Sequence, residues 1–253
     1  MREEEGRISY PVFPNPPITE GLIDIRVQLP GEVSLSNLEE LHEKIKDSYP
    51  EKKPRRKMEA TFDPGDEQEP LKTVPFAIDG FHFRTADGKQ VAQYRLDGFT
   101  FNRLRPYSRW EEVFPEAKRL WEIYRTAVKP NLVTRLAVRY INSIEIPSKR
   151  IDYDHYLTAA PKVPEGLPQL LQNFLTRIEV PFPDRDVVAI ITQTPSGKQD
   201  PLKTAIILDI DVYAAVNLPS DDARIFEIFG VLREIKNQIF FSSISERTKE
   251  LFQ

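Results

Sequence analysis

The chain has 253 residues, no cysteine, and 35 basic against 39 acidic residues, which give a formal net charge of −4. The lack of cysteine excludes a disulfide framework, a thiolate metal site and a cysteine nucleophile, and it favours a reducing, cytoplasmic compartment. The net charge does not indicate a nucleic-acid partner, although a local basic patch leaves that partner open. The first residues do not resemble a secretory signal, and no apolar run approaches the roughly 20 residues that cross a bilayer. We therefore expect a cytoplasmic protein without membrane contact.

The first predicted elements are an extended arm, a strand and a short helix. Residues 1–18 contain four prolines, which fix φ and lack an N–H group, so this arm should run extended over the surface. From Glu20 to Leu29 apolar and polar residues alternate, which predicts a strand with one buried face. A capping-box pattern at Ser36 and Glu39 then predicts a short amphipathic helix that ends before Pro50.

A basic run and a hairpin follow this helix. The run KKPRRK at 52–57 has two interpretations, a solvated loop or a phosphate contact, and we favour the loop. Residues 58–62 predict a short strand and residues 63–70 a polar turn. The segments FHFRT and VAQYRL flank Asp87-Gly88, a strong hairpin signal, so they should pair antiparallel, and FTFNRL continues the sheet.

Two helices and a long strand dominate the rest of the chain. A helix is predicted from about 109 to 127, and its apolar stripe is too wide for a helix that faces water. Apolar and polar residues alternate from 132 to 146, and the length of this predicted strand places it inside the sheet. Several prolines mark a candidate boundary near 150–168, after which three segments predict a β-meander. The longest helix begins near Ser220 and ends near Phe241.

These elements predict an α+β fold, mainly antiparallel sheet with three principal helices, including a long C-terminal helix packed on the sheet. The expected organisation is an extended arm at 1–18, a first α+β half at 19–150, and a second half at 151–253 with the meander and the long helix. The two halves form either one unit or two intimate subdomains.

No common catalytic motif is present in the sequence. A Walker loop, a GxGxxG turn, a GxSxG elbow, an HExxH helix and a calcium loop are all missing, and there are only 10 glycines. The three histidines share no metal-ligand spacing. We therefore predict no metal and no cofactor, and the sequence identifies no catalytic residue.

Charged residues at strand spacing are the candidate ligand-binding residues. Arg135 and Arg139 share one face of their strand, and Asp209 and Asp211 share one face of another, although aspartate is disfavoured in strands. One interpretation is that these arginines form structural ion pairs across neighbouring strands on a solvated face, either with Asp209 and Asp211 or with Asp24 and Glu20. The other is a cleft in which guanidinium groups hold an anion or an acidic partner surface. Arg95 and Arg103 are expected to extend the same patch.

Aromatic residues supply two further candidates. The long helix has more apolar surface than one buried face needs, so Phe226, Phe240 and Phe241 are predicted as a protein interface, with intramolecular burial as the alternative. Tyr107 and Trp110 could stack a nucleic-acid base, but core packing is favoured.

Several segments together resemble a sporadically distributed, uncharacterised family of prokaryotic proteins. They occur in the order YPVFPNPPITEGLIDIRV, FTFNRLRPYSRWEEV, TRLAVRYINSIEI, LDIDVY and IFFSSISERTKELF, and span nearly the whole chain. Val12 and Phe13 depart from the family pattern as an insertion after Pro11. The resemblance brings no established activity or site residue, and its patchy distribution implies cargo of mobile elements, such as an antiphage defence or toxin–antitoxin system.

Two functions are consistent with the sequence. The preferred hypothesis is a non-enzymatic binding or assembly protein with a protein partner or a second copy of itself, because catalytic motifs are missing. The alternative is an enzyme that handles nucleotides, phosphate or nucleic acid in the cleft lined by arginine and aspartate.

Overall fold

The structure, a computed structural model, describes residues 10–57, 77–148, 151–196 and 203–253. Its strands are β1 Ile18–Gln28, β2 Glu51–Lys57, β3 Ala77–Arg84, β4 Gln90–Arg95, β5 Gly98–Leu104, β6 Leu132–Ile146, β7 Thr176–Phe182, β8 Val187–Pro195 and β9 Thr204–Leu218. Its α-helices are α1 Leu35–Glu40, α2 Trp110–Val128, α3 Arg224–Ser243 and α4 Glu246–Glu250.

All described strands form one antiparallel sheet in the order β2-β3-β4-β5-β1-β6-β9-β8-β7. The expected antiparallel α+β fold is therefore present. β6 lies between β1 and β9, which confirms its predicted place inside the sheet. Because β6 precedes the candidate boundary and β9 follows it, this pairing makes one continuous sheet of strands from both predicted halves.

The helices and most of the buried apolar side chains lie on one side of the sheet. Alternate residues of β6, such as Leu136 and Val138, are fully buried, as the alternating pattern predicts. They belong to the same core as Trp121 of α2 and Phe229 and Leu232 of α3. The opposite side, which we call the open face, carries charged and polar residues of β1, β4, β5, β6 and β9.

The helices differ from the prediction mainly in their ends. α2 and α3 agree with the two long predicted helices, whereas α1 has only six residues and continues as a 3-10 turn over Leu41–Lys44. α4 is a short additional helix whose first turn is capped by the Ser245 side chain. None of the helices in the described ranges is long and apolar enough to cross a membrane.

The basic run was predicted as a solvated loop, and this prediction is wrong. It forms β2, an edge strand that pairs with β3 along its whole length. Edge strands accept lysine, arginine and proline because one side of the strand faces water. The strand predicted at 58–62 and the turn predicted at 63–70 lie outside the described residues.

Candidate functional site

A cavity of about 740 Å³ is present beside the N-terminal arm. It lies between the arm, the start of α2, the C-terminal half of α3 and the middle of β6. We call this cavity the arm pocket and define it by Tyr107, Trp110, Tyr140, Asn142, Arg233 and Lys236.

The arm is held in place by backbone and aromatic contacts. The Asn15 N–H donates to the carbonyl of Phe252 at 3.0 Å, and the Ser143 N–H of β6 donates to the carbonyl of Pro17 at 2.9 Å. Phe13 is only 9% exposed, and its ring centroid lies 5.2 Å from that of Phe252. Proline supplies no N–H, so Pro17 contributes to this docking as a hydrogen-bond acceptor only.

Lys236 projects from α3 into the arm pocket. Its Nζ donates to Oδ1 of Asn237 at 2.5 Å and lies 4.1 Å from the ring centroid of Tyr140, a cation–π distance. Within the described ranges, no carboxylate lies within ion-pair distance of this ammonium group. Burial lowers the pKa of Lys236 to about 7, and the nearby charge of Arg233 acts in the same direction.

Two tyrosine hydroxyl groups meet in the same cavity. The oxygens of Tyr107 and Tyr140 lie 2.7 Å apart. Burial raises the pKa of Tyr107 to about 12 and raises the pKa of Tyr140 well above its usual value, so both hydroxyl groups keep their protons at neutral pH. Gly21 makes room for this pair, because a Cβ at that position would lie 2.8 Å from the Tyr107 ring.

The rim of the arm pocket carries further positive charge. Arg233 lies over the Trp110 ring, with 5.5 Å between its Cζ and the ring centroid, and donates to Glu111 at 2.7 Å. Arg109 is the N-cap residue of α2, where the helix dipole adds partial positive charge, and its exposed side chain forms no ion pair within the described ranges.

On the open face, the predicted arginines and aspartates contact one another. Arg135 binds Asp211 at 3.1 Å and reaches Asp24 at 3.4 Å, while Arg139 binds Asp209 at 2.5 Å. These contacts are the arrangement that the ion-pair interpretation describes. The ligand-binding role of these four residues stays a prediction.

Arg95 and Arg103 lie on opposite faces of the sheet, so the expectation that both extend one patch is wrong for Arg103. Arg95 is buried on the open face and donates to Asp24 at 3.0 Å and to Thr100 at 2.8 Å. β4 and β5 pair with Gln90 opposite Arg103 and with Arg95 opposite Gly98, so Arg103 shares the helix side with Phe101. Side chains alternate along a strand, and this register fixes the face.

On the open face, the pKa of Asp24 is shifted below its usual value and that of Asp211 above it. Burial acts to raise the pKa of Asp24, but the charges of Arg95 and Arg26 and the Thr100 hydrogen bond outweigh it and hold that pKa below its usual value. At Asp211, burial outweighs the arginine charges and raises the pKa. Asp24 is therefore the more firmly ionised centre of the network.

The three phenylalanines predicted as an interface have contacts within the chain. The Phe241 ring stacks on Tyr10 at 4.7 Å, and Phe240 is buried beside it and stacked on Phe252. Phe226 is half-buried, with the Nζ of Lys118 4.1 Å from its ring centroid. These contacts favour the intramolecular alternative, and the interface stays a prediction.

Sequence patterns did not identify Lys236 as a site residue. Its position on a long amphipathic helix looks like that of any lysine beside an apolar stripe. The sequence predicts Tyr107 and Trp110 as aromatic candidates, but only the tertiary structure brings them together with Tyr140 and the arm.

Among the described residues, no group of three or more metal-ligating side chains is present. Comparison with protein-family models and with curated proteins finds no match.

Proposed function

We propose that this chain is a binding protein that holds a small organic anion in the arm pocket. The observation that carries this proposal is Lys236, whose ammonium group is enclosed in the cavity without a carboxylate partner in the described chain.

The charge of the ligand follows from the surroundings of Lys236. An ammonium group removed from water is unfavourable unless an opposite charge compensates it. Arg233 already binds Glu111, and the start of α2 and Arg109 add positive potential at the rim. An anionic group beside Lys236 would supply the missing counter-charge.

The residues that line the cavity indicate that the anion is an organic molecule. Tyr107, Trp110 and Tyr140 line the cavity with aromatic rings, which favour a planar partner. The volume of about 740 Å³ lies in the range typical of small-molecule sites. The described lining contains no histidine, cysteine or aspartate, and of its two glutamates Glu111 is bound by Arg233.

The test is isothermal titration calorimetry with 4-hydroxybenzoate, adenosine 5′-monophosphate and inorganic phosphate. We expect at least one of the two organic anions to bind more tightly than inorganic phosphate. Lys236→Met should weaken that binding by about tenfold or more, since a hydrogen bond to a charged group contributes about 1.5–3 kcal/mol.

Lys118→Met is the matched control. Lys118 also lies 4.1 Å from an aromatic centroid, but it is on α2 outside the arm pocket, so its replacement should leave the affinity unchanged. Binding of neither organic anion to the parent protein, or equal affinity of parent and Lys236→Met, would contradict the proposal.

A second candidate function belongs to the open face. A cavity of about 600 Å³ there is lined by five arginines and two aspartates. Each arginine pairs with an aspartate, so a phosphate group would bind there by sharing these guanidinium groups with the carboxylates. Turnover of nucleotides or oligonucleotides that depends on a metal and is lost in Asp209→Asn would favour this enzyme over the binding protein. The defence setting that the family resemblance implies concerns gene history and stays an expectation.

A further inference from the structure

The two edges of the described sheet differ in charge. Edge strand β2 exposes Lys52, Lys53 and Arg56 and contains Pro54, so pairing with another strand would bring like charges together or lose a backbone donor. Edge strand β7 has the sequence TRIEVPF, with one arginine, one glutamate and an isoleucine between them. β7 also contains a proline, Pro181, but it lacks a run of like charges, so among the described strands it has the less protected edge.

The side chains of β7 are placed by its pairing with β8. Ile178 pairs with Ile191 and Val180 with the buried Ala189, so Ile178 lies on the helix side of the sheet. It is nevertheless 54% exposed. Arg177 and Glu179 lie on the open face, are both exposed, and form no ion pair within the described ranges.

The backbone of β7 also leaves bonding groups at the edge. Pro181 has no N–H, so its pair with Val188 is a non-hydrogen-bonded pair of the antiparallel ladder. Bonded and non-bonded pairs alternate, so the pairs formed by Arg177 and Glu179 are non-bonded as well. Pro195 of β8 also has no N–H, so its pair with Ile206 of β9 is non-bonded as well. Counting along β8 from this pair gives the same alternation between β7 and β8. The N–H and C=O groups of Arg177 and Glu179 therefore point away from β8, toward the free edge.

We infer that β7 pairs with β7 of a second copy of this chain, antiparallel and centred on Ile178. In that register Arg177 lies opposite Glu179 of the other copy on the open face, and Ile178 lies opposite its own equivalent on the helix side. The two Arg177–Glu179 pairs supply four backbone hydrogen bonds and two ion pairs of opposite charge.

This pairing is symmetric and self-limiting. A two-fold axis through Ile178 uses the same edge of both copies, so the assembly closes as a dimer. The other edge, β2, is protected by its cations, which prevents growth into a filament. The pairing is short, so we expect a reversible dimer.

A disulfide experiment tests the register directly because the chain has no cysteine. Facing residues of a non-hydrogen-bonded pair have Cα atoms about 4.5 Å apart, which a disulfide can bridge. Ile178→Cys should form a covalent dimer under mild oxidation. Val12→Cys, at a position that is 75% exposed on the arm, is the control and should stay mostly monomeric.

Charge reversal tests the same interface without cysteine. In sedimentation velocity, Arg177→Glu should weaken dimerisation by about tenfold or more because it places like charges opposite each other. The double variant Arg177→Glu/Glu179→Arg should restore it, which a purely structural role of Arg177 would not do. Equal cross-linking of the two cysteine variants, or a parent dimer that Arg177→Glu leaves unchanged, would overturn the inference.

Discussion

At the residue scale, Lys236 links proton binding to stability. An ordinary lysine titrates near pH 10.5, whereas burial lowers the pKa of Lys236 in the folded chain to about 7. Between these values the unfolded chain holds a proton that the folded chain lacks, so the free energy of unfolding rises with pH across this window. Below about pH 7 both states hold the proton and the contribution of Lys236 no longer changes.

Lys236→Met removes this titration while keeping an unbranched side chain. We expect the variant to be more stable than the parent at pH 7 by about 1–3 kcal/mol, the usual cost of burying a polar group without full compensation. The advantage should shrink toward pH 10, because the parent then buries a neutral amine. Urea unfolding between pH 7 and pH 10 measures the difference in the free energy of unfolding between the two proteins. The same dependence of this free energy on pH in both proteins would count against burial of the charge.

Local alternation along a strand predicts the face of some site residues but not of others. Alternation in β6 and β9 is a local property, so the shared faces of Arg135 with Arg139 and of Asp209 with Asp211 were predictable. The face of Arg103 was not, since it depends on the register of β4 and β5 on either side of a two-residue turn. Lys236 was missed because its environment comes from segments distant in sequence.

At the element scale, the arm is an extended segment in which Phe13 is the buried aromatic residue and Tyr10 adds a second ring contact, with Phe241. Phe13→Ala should release it, because Phe13 packs against Phe241 and Phe252 and the neighbouring arm prolines offer no N–H groups. In hydrogen exchange, the amides of Asn15 and Ser143 should lose protection, since their acceptors are Phe252 and the arm residue Pro17.

Val12→Ala is the matched control for the arm, because this neighbour of Phe13 is exposed. It should leave both amides protected. Retained protection of Asn15 and Ser143 in Phe13→Ala would mean that the backbone contacts alone hold the arm. The contacts of Phe13 could not have been predicted from the pattern of prolines, which indicates an extended course but not what the arm packs against.

At the scale of the whole molecule, the continuous sheet decides how the chain unfolds. The sequence predicted a boundary near 150–168, because prolines interrupt the pattern there, and left open one unit or two subdomains. Long-range strand pairing is not visible in local patterns, so the sequence offered β9 as a neighbour of β6 only as one of two placements of the ion pairs. This pairing runs from Val133 to Ile146 on β6 and is the ladder that joins the described strands of the two predicted halves.

We therefore expect a single cooperative unfolding transition. Trp121 is buried in α2 of the first half, and both tryptophans precede residue 150, so fluorescence follows that half while far-ultraviolet circular dichroism follows all strands. The two signals should coincide in urea. Val138→Ala, fully buried in β6, should shift both midpoints together and destabilise the protein by about 1–4 kcal/mol through lost burial and a cavity. A circular dichroism transition without a matching fluorescence change would instead mean that the strands after residue 150 unfold independently of the first half.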